Sequence, residues 1–173
     1  MVMLVGPTGC GKSTFRKKHL AGLPCVSPDD FIVGAWTAKK AAHAWQHARN
    51  MAIELLAEKK SFVADAQFLD PAVRAEWRSL ANGFDFRVRA FAFDTPWKQL
   101  RENQQARGAR GFYGLIPHKV QLRSYQLMKH QLAKMVFLNE GFLRPVEDVT
   151  WYPYDTIRVV KWGEPIKNVM WGI

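Results

Sequence analysis

The chain has 173 residues, 48% of them hydrophobic and 23% charged, which fits one globular domain with one main core. Its net charge of +10 favours a polyanionic partner, nucleic acid first, and no apolar stretch is long enough to cross a bilayer. Two cysteines cannot form a disulfide framework, no Cys/His cluster has zinc spacing, and the N-terminus leaves no room for a leader, so a cytoplasmic, reducing setting is expected.

In chain order, Met1 to Val5 is an apolar run that reads as a buried strand. Gly6-Pro7-Thr8-Gly9-Cys10-Gly11-Lys12-Ser13-Thr14 follows and fits G-x-x-x-x-G-K-[S/T] at every fixed position. Its glycines let backbone N–H groups turn inward around a polyphosphate, and a helix beginning near Lys12 aims its positive end there. Lys12 is expected to reach the β- and γ-phosphates of a triphosphate, and Ser13 to ligate Mg²⁺. The helix stops before Gly22 and Pro24. Pro24 to Ser27 is a short strand candidate, and Pro28-Asp29-Asp30-Phe31 a strand-end loop. Ala38 to Lys60 repeats apolar residues at helical spacing. Ser61 to Asp65 is a second buried strand with its acid at the carboxyl end.

Asp70-Pro71 starts a helix, with Asp as cap and Pro in the first turn, carrying Val73, Trp77 and Leu80 on one face. Phe86 to Phe93 is another strand. Thr95-Pro96 opens a helix to about Ala106, and the glycines of Arg107 to Gly114 predict a break there. Pro117 begins a long helix with Val120, Leu127, Leu132 and Met135. Thr156 to Trp162 alternates like a strand within an aromatic-rich tail, 144–173, expected to pack on a core of 1–143. Those aromatics read as core packing, with base stacking as the alternative. Strands alternating with helices imply an α/β sandwich with a parallel sheet and ligands beyond the carboxyl ends of its strands.

At that edge lie the candidate acids. Asp29 or Asp30, but not both, suits a base for an incoming hydroxyl, because adjacent residues of an extended segment point apart. Asp65 stands where an acid holds Mg²⁺ through water or meets the acceptor. Arg107 and Arg110, beside glycines in a segment of about 101–117, suit a cationic lid over the phosphates, with Arg101 able to join. Cys10 reads as a small tolerated residue, with a thiol activated by Lys12 as the alternative.

Four blocks together resemble the kinase domain of bacteriophage-type 5′-hydroxyl polynucleotide kinases over about residues 1–135. They are the phosphate loop; Ser27-Pro28-Asp29-Asp30-Phe31; Val63-Ala64-Asp65-Ala66-Gln67 running into Pro71 and Trp77; and Phe93-Asp94-Thr95-Pro96-Trp97 running through Leu100 to Arg107-Gly108. The resemblance implies a P-loop kinase-like three-layer sandwich with a mainly parallel sheet, helices on both faces and an Arg-rich lid. It implies ATP and Mg²⁺, a nucleic-acid acceptor, Asp29 as general base, Asp65 near the acceptor, and Arg107 on the donor phosphates. Three departures stand out. Ile32 replaces an arginine that grips the acceptor's phosphate, leaving Arg74, Lys39 or Lys40 to serve; Asn103 replaces a second lid arginine; and Gln67 replaces an asparagine. Ile32 keeps open an acceptor on a hydroxymethylated base or a small molecule. A nucleotide-dependent binding switch is the reading from another class.

Overall fold

The computed structural model describes residues 1–32, 37–109, 116–133 and 155–163, together with Phe137, Glu140 and Phe142. Five strands, β1 (Val2–Val5), β2 (Cys25–Val26), β3 (Val63–Asp65), β4 (Arg89–Asp94) and β5 (Thr156–Lys161), form one sheet. Its order is β2-β3-β1-β4-β5 and every pairing is parallel. Parallel neighbours need crossovers, which the helices supply. They are α1 (Lys12–His19), α2 (Ala38–Ala57), α3 (Pro71–Asn82), α4 (Trp97–Ala109) and α5 (His118–Ala133). A 3₁₀ turn, Pro28–Phe31, follows β2.

β1 is buried along its whole length, and its side chains alternate between two cores. Met1, Met3 and Val5 meet Leu56 of α2 and Trp77 and Ala81 of α3. Val2 and Leu4 meet Phe15 of α1 and Leu100 of α4. Helices therefore cover both faces, as the sequence implies. β5 brings Ile157 to the first core and Val160 to the second, so the sheet takes in part of the aromatic tail.

Local chemistry sets most boundaries. Asp70 accepts a hydrogen bond from the Ala72 N–H at 2.9 Å and Pro71 occupies the first turn of α3. Thr37 caps α2 through the Lys40 N–H at 3.2 Å. That helix ends at Ala57, three residues earlier than its sequence pattern predicts, and Lys59 then takes a left-handed φ of 55°. α4 differs more. It runs through Arg107 and Gly108 to Ala109, so the expected break at Arg107 is absent. One glycine costs a helix about 1 kcal/mol, which its neighbours can offset. In α5 the buried side chains are Gln121, Met128 and Gln131, whereas Val120 and Leu127 are exposed. The glutamine amides donate to backbone: Gln121 to the Leu100 carbonyl at 3.2 Å and Gln131 to that of Leu69 at 2.7 Å.

Candidate nucleotide and acceptor site

β1 ends at Val5 and α1 begins at Lys12, so residues 6–11 form the loop between the central strand and a helix N-terminus. Gly11 caps α1 with φ of 98°, a left-handed conformation that L side chains rarely adopt. Gly6 answers a different need. A Cβ there would meet Cys10 Sγ at 2.7 Å and Phe93 Cβ at 3.2 Å. Lys12 Nζ folds over the loop, donating to the Gly6 carbonyl at 2.8 Å and the Pro7 carbonyl at 3.1 Å. Its ammonium thus sits inside the curve where phosphate oxygens are expected. Ser13 and Thr14 are exposed in the first turn of α1.

Outer contacts brace the loop. Gly6 N–H donates to the Gln67 carbonyl at 2.9 Å, and Gln67 Nε2 to Thr8 Oγ1 at 3.1 Å. Thr95 Oγ1 donates to the Cys10 carbonyl at 3.0 Å. Asn103 Nδ2 donates to the Gly9 carbonyl at 2.7 Å. Within the loop the Cys10 N–H also donates to the Pro7 carbonyl at 3.3 Å, so these bonds fix the shape of its backbone. Gln67 is followed by Phe68 at a left-handed φ of 47°. A buried aromatic rarely holds that conformation, which costs of order 1–3 kcal/mol. Ring contacts with Trp45 and Trp77, at 5.8 and 5.4 Å between centroids, offset it.

The acidic side of the site is built from three elements. Asp65 lies in register with Leu4, at the carboxyl end of β3. Its Oδ2 accepts from Ser13 Oγ at 3.2 Å and from Arg16 Nε at 3.3 Å. Arg16 follows Ser13 by three residues and Lys12 by four, so all three share one face of α1. The 3₁₀ turn brings Asp29 and Asp30 to the same edge, both exposed. Asp30 shows the link electrostatically. Partial burial raises its carboxyl pKa, the charges of Asp29 and Asp65 raise it further, and Arg16 opposes them. Three carboxyl side chains and one guanidinium thus lie within electrostatic reach of one another beside the phosphate loop.

Ser13 and Asp65 fit a magnesium ion, since a hydroxyl and a carboxylate are the hard oxygen donors that this ion takes together with phosphate and water. Among the described residues no group of three or more His, Cys, Asp or Glu side chains gathers to make a larger metal cage.

Several expectations from the sequence meet different surroundings. Arg74 is fully buried. Its Nε donates to Glu140 Oε2 at 2.9 Å, Nη2 to Glu140 Oε1, and Nη1 to the Phe68 carbonyl at 2.6 Å. This commitment corrects the acceptor contact expected for Arg74: all three of its nitrogens are bonded, to Glu140 and to the Phe68 carbonyl, and its side chain is buried. Arg101 is engaged with Gln121 Oε1 at 3.2 Å and lies 5.9 Å from the centroid of the Trp97 ring. Cys10 is buried, and desolvation raises its thiol pKa despite Lys12, which opposes the activated-thiol alternative. Arg107 is exposed in the last turn of α4. It follows Asn103 by one turn, hence about 6 Å along the helix on the face that touches Gly9. Arg110 lies outside the described residues. The contacts of Arg16, Thr95 and Asn103 with this site have no forecast in the sequence, although helical spacing from Lys12 and Ser13 offers a signal for Arg16.

A parallel sheet in this order, with a phosphate loop between its central strand and α1, defines a P-loop kinase-like α/β domain. A family model described as an AAA domain matches residues 1–135. The chain belongs to that AAA-domain family. No curated protein matches it in sequence. Solved structures share the fold, among them the following three. A protein described as a kinase from Chloroflexus aurantiacus has 16% identity and a TM-score of 0.59, covering 92% of this chain and 86% of that one. A chain of the Pnkp1/Rnl/Hen1 RNA repair complex has 18% identity and a TM-score of 0.66, covering 77% and 45%. A chain of the AvrRxo1-ORF1:-ORF2 assembly with ATP has 18% identity and a TM-score of 0.63, covering 79% and 49%. The latter two chains are matched over less than half their own length. Among the described residues no helix is long and apolar enough to cross a membrane.

Proposed function

We propose that the chain is an ATP-dependent kinase that transfers the γ-phosphate to a hydroxyl on nucleic acid, the 5′-hydroxyl of DNA or RNA. One observation carries the reading: a single Asp65 oxygen bonds Ser13 of the phosphate loop while the Asp65 charge acts on Asp30 of the 3₁₀ turn. Donor cradle and acceptor acids therefore adjoin, as in-line transfer requires. The net charge of +10 favours a polyanionic acceptor. The resemblance to 5′-hydroxyl polynucleotide kinases and the RNA repair complex among the proteins of similar fold point the same way.

In this mechanism the loop N–H groups and the α1 N-terminus hold the donor phosphates, and Lys12 and Arg107 neutralise charge that develops on the transferring group. Asp29 accepts the proton of the attacking hydroxyl. Asp65 and Gln67 line the acceptor side, with Asp30 beside them. Mg²⁺, held by Ser13 and by Asp65 through water, would draw charge from the β- and γ-phosphate oxygens. Ile32 gives a second reading a foothold, because it supplies no cation for an acceptor phosphate; a hydroxymethylated base or small molecule would then be the acceptor.

The test incubates the protein with γ-labelled ATP and 5′-hydroxyl DNA, 5′-hydroxyl RNA, hydroxymethyl-base DNA and nucleosides. Label on 5′-hydroxyl strands is expected, with transfer lost in Asp29→Ala while ATP still binds. Label on modified-base DNA alone selects the second reading. ATP hydrolysis without labelling of any acceptor refutes both.

A further inference from the structure

Phe31 closes the 3₁₀ turn directly after the acidic pair, and 38% of it is exposed. Its ring lies nearly parallel to the imidazole of His47 on α2, with centroids 5.6 Å apart and planes inclined by 20°. His47 is also exposed. An exposed phenyl forgoes the gain of burial, and a parallel pair presents a flat surface suited to a further ring. Lys40 and His43 precede His47 by seven and four residues, so the same stripe of α2 carries basic groups beside the rings. On the other side stands Asp30, within the electrostatic reach of Asp65 and Arg16.

We propose that Phe31 and His47 form a stacking platform for a nucleobase, that of the acceptor's terminal nucleotide. The inference rests on the kinase reading for the word acceptor and deepens it: the substrate is a nucleotide recognised by its base, not a sugar or an aliphatic alcohol. Every base has a flat π-face, so such a platform binds strands without selecting sequence. A ring gripped one residue from Asp30 also fixes the distance between the sugar hydroxyl and the carboxylates. Ile32, next in the chain, contributes no charge; the base supplies the grip instead.

The experiment compares two 3′-labelled 5′-hydroxyl hexanucleotides, one ending in thymidine and one in an abasic sugar, by fluorescence anisotropy with a non-hydrolysable ATP analogue. Both strands carry the same phosphates and differ only in the terminal base. The wild-type protein is expected to bind the intact strand roughly tenfold more tightly, within the range for base–aromatic stacking. Phe31→Ala should bind both alike, and Phe31→Trp should restore the preference. Equal binding by the wild type, or a preference that survives in Phe31→Ala, overturns the platform. Phosphoryl transfer is scored separately: discrimination in binding without label on either strand upholds the platform and refutes the kinase assignment.

Discussion

Arg74→Ala separates a structural arginine from an acceptor-binding one. The guanidinium is fully buried, paired through two nitrogens with Glu140, bonded to the Phe68 carbonyl, and placed 4.6 Å from the centroid of the Phe137 ring. Truncation leaves a carboxylate without its cation and a carbonyl without its donor. Breaking a buried pair in this way costs about 3–5 kcal/mol. The Glu140 side chain keeps 15% exposure, so water recovers part of its solvation and the lower end applies. At about 2–4 °C per kcal/mol for a chain of this size, Arg74→Ala should melt about 6–12 °C below wild type. Arg74→Met combined with Glu140→Leu should recover part of that loss, because the orphaned charge is gone. Differential scanning fluorimetry and urea titration read the stability. Acceptor KM, measured well below the melting range, should be unchanged in Arg74→Ala. A variant that melts with wild type yet loses acceptor affinity tenfold refutes the argument and returns Arg74 to the acceptor site.

Gly11→Ala should fail twice over, since the left-handed φ of 98° strains any side chain and the new Cβ would sit 3.3 Å from Trp162 Cζ3. Adding Trp162→Ala removes only the contact, so a thermal shift on ATP addition should stay weak in the double variant; full recovery would show that the backbone conformation costs nothing. Lys12→Ala should abolish that thermal shift, and an undiminished shift would remove Lys12 from the donor site. The raised carboxyl of Asp30 gives a pH signature. A folded pKa above 3.8 means that the folded state holds its proton longer, so the side chain weakens the fold as pH rises through the window above that value. Asp30→Asn should therefore gain stability over wild type as pH rises above 3.8 and keep a constant gain once the wild-type carboxyl has lost its proton; urea midpoints showing no pH-dependent difference would contradict the assigned surroundings. Burial raises both thiols, that of Cys25 to about 11, so an aromatic disulfide reagent at pH 7 should react slowly with the native protein and release two equivalents in guanidinium. Rapid native reaction at Cys10 would mean that the loop opens.

The parts of this molecule most readable from the chain are those whose physics is local. The phosphate loop, the Asp70-Pro71 helix start and the buried run ending in Asp65 are each specified by neighbours a few residues apart, and each has its counterpart in the fold. Arg74 pairs with a residue 66 positions away, and no local pattern announces an ion pair of that kind. α5 forms where its sequence predicts, but apolar spacing ignores glutamine and so does not show its buried face; Gln121 and Gln131 each donate to a backbone carbonyl on a distant segment. Asn103 looked like a lost arginine and proves to hold the Gly9 carbonyl. The roles of Asp29 and Arg107 rest on position and resemblance, since catalysis depends on substrates that no single chain encodes.

The strand order has a consequence for synthesis at the ribosome. β1 leaves the exit tunnel before its neighbours, but its two partners in the sheet are β3 and β4, residues 63–65 and 89–94. Asn103, which fastens Gly9, comes later still. A nascent chain paused after α2 thus displays the glycine-rich segment without the walls that shape it, and its affinity for nucleotide should emerge abruptly, only once more than half the polypeptide has been made.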